Sequence, residues 1–119
     1  MKHIKTFESF LNEARVIETC EIIGDDSDVI EDAVDFLQRG QGKATLDKEC
    51  KGKPDYSFFH HNNIGTLGKD GLMHSLLDIH QIASSPKMTV EDYLNCINKV
   101  LNDHGYDRHS VKVQMQPGK

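Results

Sequence analysis

No apolar run approaches the roughly 18–20 residues that a membrane helix needs, so no membrane span is expected. The first 14 residues lack an apolar stretch followed by a small-residue cleavage site, which argues against a secretory signal. Cysteine is scarce. Cys20, Cys50 and Cys96 lie far apart, with no CxxC or zinc-type spacing. They read as reduced thiols of a cytoplasmic-type compartment, and Cys96, on the apolar side of a helix, reads as a buried thiol. Basic charge is short as well. The net charge of −5, from 14 Lys+Arg against 19 Asp+Glu, argues against a generally phosphate-seeking protein. That shortage is local: residues 1–37 carry ten acids and three basic residues, and Val16 to Leu37 hold no Lys or Arg at all. There is no GxSxG, no GxxxxGK[ST] and no GxGxxG, so the common nucleophile and phosphate-loop signatures are missing.

What is present suits one soluble globular domain. The chain has 119 residues, 37% hydrophobic and 28% charged. Ile4, Phe7, Phe10, Leu11 and Ala14 recur at helical spacing and predict a short amphipathic helix over 3–14. The β-branched run 15–23 predicts a strand. Gly24-Asp25-Asp26-Ser27 is a turn that supplies N-caps. Val29, Ile30, Ala33, Val34 and Leu37 then mark one face of a helix ending near Gly40. Residues 42–49 and 55–61 read as two strands of a hairpin joined through Lys51-Gly52-Lys53-Pro54. Residues 62–71 read as a loop, and Leu72, Met73, Leu76, Leu77 and Ile82 as a helix stopping before Pro86. Thr89 and Asp92 form a capping-box pattern ahead of the apolar face Tyr93, Leu94, Ile97, Val100 and Leu101. Val111, Val113 and Met115 alternate with polar residues and predict a last strand. The expected fold is therefore α+β: an N-terminal helix, then β-α-β-β-α-α-β. That order approximates a ferredoxin-like sandwich with one extra helix, its helices on one face of the sheet.

The densest chemical cluster is Phe58-Phe59-His60-His61-Asn62-Asn63. Adjacent strand residues point to opposite faces, so His60 and His61 are poorly placed to share a metal. With Asn63 and His74, His61 offers a general-acid or metal site. The cluster resembles the His-Asn-His nuclease element, but lacks the acidic or His neighbour beside the first His and the family's ligand spacings. His74 and Asp78, at i and i+4 of the expected helix, are candidates for a base and its orienting carboxylate. Gly65 to Gly71 reads as a connection rather than a phosphate cradle, since Asp70 repels anions. Lys43, Lys48, Lys51 and Lys53 beside Tyr56, Phe58 and Phe59 suggest a basic tip, diluted by Asp47, Glu49 and Asp55, which argues against nucleic acid. Asp25, Asp26, Asp28, Glu31, Asp32 and Asp35 surround the first domain helix without calcium-loop spacing. They read either as a solvated helix face or as a docking surface for a basic host or phage protein. No cofactor and no metal is expected.

The string MKHIKTFESFLNEA opens with Met-Lys and carries Phe7, Phe10 and Leu11 as anchors at helical spacing. It closes with Leu11-Asn12-Glu13 before the small Ala14. It resembles the capsid-targeting leader of internal head proteins in T4-like tailed bacteriophages, although His3-Ile4 makes it slightly longer than the tightest family form. The resemblance covers 14 residues and implies docking into the prohead scaffold, then cleavage by the prohead protease between Glu13 and Ala14. A short amphipathic helix is marginal alone and orders in a partner groove. The expected organisation is a leader, 1–14, and one α+β domain, 15–119. The expected function is a small phage protein packaged in the head interior. It passes to the host cytoplasm and binds a macromolecule stoichiometrically. The alternative is a non-packaged phage or bacterial enzyme with a hydrolytic or nucleotide-related site around His60, His61 and His74.

Overall fold

A computed structural model describes residues 16–50 and 55–116, with backbone alone at 62–64. The elements are β1 (Val16–Gly24), α1 (Ser27–Gln38), α2 (Gly40–Glu49), β2 (Tyr56–Leu67), β3 (Met73–Gln81), α3 (Val90–Asp103), a 3-10 turn (Tyr106–His109) and β4 (Lys112–Met115). The strands form one antiparallel sheet in the order β2-β3-β1-β4. The α+β class holds. The described order is β-α-α-β-β-α-β, and the expected N-terminal helix lies outside the described residues.

Two elements differ from the sequence expectation. Residues 42–49 belong to α2, not to a strand. Lys, Ala, Leu and Glu favour a helix, and Lys43 and Asp47 pair at i, i+4, 3.3 Å apart. Residues 73–81 form a strand, not a helix. Their apolar residues fit a helical stripe on paper. Yet Ser75, Leu77 and Ile79 are the buried ones, a period of two. The hairpin is consequently β2–β3, with Leu67 facing Met73 across a turn at 68–72. Gly65 lies within β2, so the glycine-rich stretch opens no helix.

Helix α1 starts where Asp26 accepts a hydrogen bond from the Val29 N–H, 2.9 Å, and buries Ile30, Ala33, Val34 and Leu37. It gives way directly to α2 through extended Arg39 and left-handed Gly40 (φ 51°). The two helices meet at Gly42, where a Cβ would stand 1.8 Å from the Phe36 carbonyl oxygen. Helix α3 carries the full Thr89–Asp92 capping box and buries Tyr93, Leu94, Ile97, Val100 and Leu101. These stripes cover the sheet face formed by Cys20, Ile22, Leu77, Ile79 and Val113. Each large aliphatic side chain there contributes roughly 1.5–3 kcal/mol by leaving water.

The two sheet edges differ. At the β4 edge, the Asn98 side chain donates to the Val113 carbonyl at 2.9 Å and accepts from its N–H at 2.8 Å. An amide from α3 thus occupies both outward backbone groups of Val113. At the other edge, β2 runs for 12 residues without a single Asp, Glu, Lys or Arg, and exposes Phe59 and Leu67.

Candidate functional site

Alternation along the strands sends a second set of side chains to the face away from the helices. Thr19 and Asp78 are cross-strand partners there, as are Glu21 and Leu76, Ile23 and His74, and Phe59 and Asp78. Strand β4 adds Lys112 and Gln114 opposite Ile23 and Glu21. The face is polar and titratable, and two of its histidines, His61 and His74, are joined to carboxylates.

His74 has a carboxylate on each ring nitrogen. Its Nδ1 lies 3.0 Å from Glu21 Oε2, and its Nε2 lies 3.1 and 3.0 Å from the two Asp70 oxygens. A neutral imidazole has one N–H, so only the doubly protonated ring donates to both acceptors. Its pKa is accordingly raised above 6.5, chiefly by the Asp70 hydrogen bond and further by Glu21, with burial opposing. Asp70 is held below its ordinary value by the Leu72 N–H and then by His74. Glu21, 6% exposed, also accepts from Gln114 Nε2 at 2.6 Å. One histidine thereby ties β1, β3 and the β2–β3 turn together, and Glu21 extends the network to β4.

The second couple is His61 with Asp78. Nε2 lies 2.6 Å from Oδ2, and the Thr19 hydroxyl donates to the other carboxylate oxygen at 3.4 Å. Phe59 stands edge-on to the His61 ring, with centroids 5.0 Å apart. Side-chain exposures are 30% for His61 and 15% for Asp78. The arrangement can orient an imidazole with one nitrogen engaged by the carboxylate.

The expected His74–Asp78 pair is not formed. On a strand, residues four apart share a face but stand roughly 13 Å apart, so each turns to another partner. His60 and His61 do face opposite sides. His60 is buried against the helices, with Nε2 3.0 Å from the Ser75 hydroxyl. It lines a cavity of about 410 Å³ with Glu31, Val34, Asp35, Gln38, Arg39 and Phe59. The Asn63 side chain lies outside the described residues, as do Phe7, Phe10, Leu11, Glu13 and Ala14. Among the described residues, no group of three or more His, Cys, Asp or Glu is arranged to hold a metal ion.

Sequence reading missed Thr19, Glu21 and Gln114 as partners. The readable signal was polar residues at 74, 78 and 80, whose even spacing belongs to one strand face. It also missed that Cys50 and Cys96 meet.

The acidic stretch is exposed, but four of its six acids are already engaged. Asp26 caps α1, Asp35 pairs with Arg39 at 2.9 Å, and Asp32 accepts from the Tyr106 hydroxyl at 2.8 Å. Burial and that Asp32 bond push the Tyr106 pKa up to about 12. Asp25 lies 3.7 Å from His109. Asp28 and Glu31 project into solvent from α1. The basic tip is not a hairpin tip, since Lys43 and Lys48 lie on α2 while Lys51 and Lys53 lie outside the described residues.

No protein-family model, curated protein or solved structure matches this chain. No described helix is long and apolar enough to cross a membrane.

Proposed function

We propose that this is a phage-encoded binding protein, carried into the head by its first 14 residues and acting stoichiometrically on a host or phage macromolecule. The observation that carries the reading is the leader pattern: Met1-Lys2, anchors Phe7, Phe10 and Leu11, and Leu11-Asn12-Glu13 before Ala14. Its position supports it. The Glu13–Ala14 bond precedes the first residue of β1 by two positions, so cleavage there leaves every described element whole. The leader would dock in the prohead scaffold, the protease would release the domain, and the domain would act in the host cytoplasm. Its docking surface would be the exposed acids of α1, Asp28 and Glu31 foremost, offered to a basic protein. The sheet order β2-β3-β1-β4 and the one-sided helices support a ferredoxin-like sandwich in which α2 is the added helix.

Co-expression with a matching prohead protease tests this reading. N-terminal sequencing should find Ala14, and Glu13→Gln should block the cut. An intact N-terminus in purified virions, or absence from virions, would overturn it.

The His61–Asp78 couple favours a second reading, a hydrolase using His61 as general base. Phosphoester and ester hydrolysis measured on the intact chain and on His61→Ala would decide. Turnover abolished by that substitution supports the enzyme, and equal background rates refute it.

A further inference from the structure

Cys50 and Cys96 are 46 residues apart in sequence, yet the fold brings them together. Cys50 caps the C-terminus of α2, and Cys96 lies in the second turn of α3. The Cys96 Sγ is 3.7 Å from the carbonyl oxygen of Glu49, whose carbon is bonded to the Cys50 nitrogen. That contact puts the sulfur beside the Glu49–Cys50 peptide, and the Cys96 thiol is one of the neighbours that raise the Cys50 pKa. Lys99, one turn further along α3, reaches the Glu49 carboxylate at 4.0 Å, so α2 and α3 are held at the same spot by a second contact. Both cysteines are free thiols. They differ in access, since Cys50 is 2% exposed whereas Cys96 is half-buried. Cys20 lies elsewhere, on β1, with its sulfur 3.8 Å from that of Met115.

We propose that Cys50 and Cys96 form a reversible redox pair, closed by a peroxide into a disulfide that staples α2 to α3. Cys96 is the sulfur a small oxidant reaches. Its thiolate attacks one peroxide oxygen, the S–O bond forms, the O–O bond breaks, and the departing hydroxide leaves as water. Cys50 then loses its proton and attacks the Cys96 sulfur. The S–S bond forms, the S–O bond breaks, and a second water leaves. The two thiols give up two electrons and the peroxide accepts them. Burial and the neighbouring Cys96, Asp47 and Glu49 push the Cys50 thiol well above its ordinary value. Cys50 is therefore protonated at rest, so it is not the first target, and it gives up its proton only as it attacks the Cys96 sulfur.

The full chain treated with one equivalent of hydrogen peroxide tests the pair. Thiol titration in denaturant should fall from three groups to one, the mass should drop by two hydrogens, and digestion should yield a peptide linking residues 50 and 96. The thermal midpoint should rise by at least about 5 °C and return on adding a thiol reductant. Cys50→Ser should lose the link and let Cys96 proceed to sulfinic acid, whereas Cys20→Ala should keep it. Linkage through Cys20, a disulfide between two chains, or wild-type Cys96 accumulating as sulfinic acid without a link would each overturn the proposal.

Discussion

His74 donates to all its carboxylate partners only while both ring nitrogens are protonated. Its pKa is raised by Asp70 and Glu21, so its contribution is complete below about pH 6.5 and is lost as pH rises through the higher folded value. Urea midpoints should therefore fall between pH 6 and pH 9, and His74→Gln should flatten that slope. Asp70 works in the opposite sense. Its folded value is depressed, so its share is present above the ordinary carboxylate range and is lost in acid. Gly42 is a second residue with one tolerable identity. A methyl group there would meet the Phe36 carbonyl oxygen at 1.8 Å, and that oxygen belongs to the α1 backbone. Gly42→Ala should destabilise by about 2 kcal/mol or more, despite alanine's better helix propensity, as read by chemical denaturation.

Helix α3 shows which element features a sequence displays openly. The Thr89–Asp92 box and the apolar stripe from Tyr93 to Leu101 were both readable, and both stand. Thr89→Ala should cost about 1 kcal/mol, and Ile97→Ala, at a fully buried site, about 2–5 kcal/mol in equilibrium unfolding. Helix α1 and strand β4 were legible for the same reason, since their apolar residues keep one period, and β1 was legible from its β-branched run. Residues 73–81 were not. Met73, Leu76 and Leu77 satisfy a helical stripe, and only pairing with β1 and β2 on both sides selects the strand. Residues 42–49 failed oppositely, having too few apolar positions for any period to show. Once β3 was read as a helix, the histidine site could not be assembled. The partners of His74 and His61 are set by strand register, and register joins residues such as Glu21 and His74 that lie 53 positions apart.

For the whole molecule, the asymmetry of charge lies in residues 14–119 and not in residues 1–13. Residues 1–13 contain Lys2, Lys5, Glu8 and Glu13, so trimming at Ala14 leaves the full −5 on a shorter chain. The leader reading predicts that the trimmed protein keeps its thermal midpoint to within about 2 °C. A large drop would mean that Phe7, Phe10 and Leu11 belong to the core. The Asn98 clamp on Val113 bears on how copies of such a domain can associate. Edge-to-edge growth into a filament needs two receptive margins on every unit, one to accept a neighbour and one to be accepted. With Val113 already engaged, the described β4 margin is the poorer acceptor of the two. The clamp works against open-ended growth, so strand pairing through β2 would favour closed pairs over filaments.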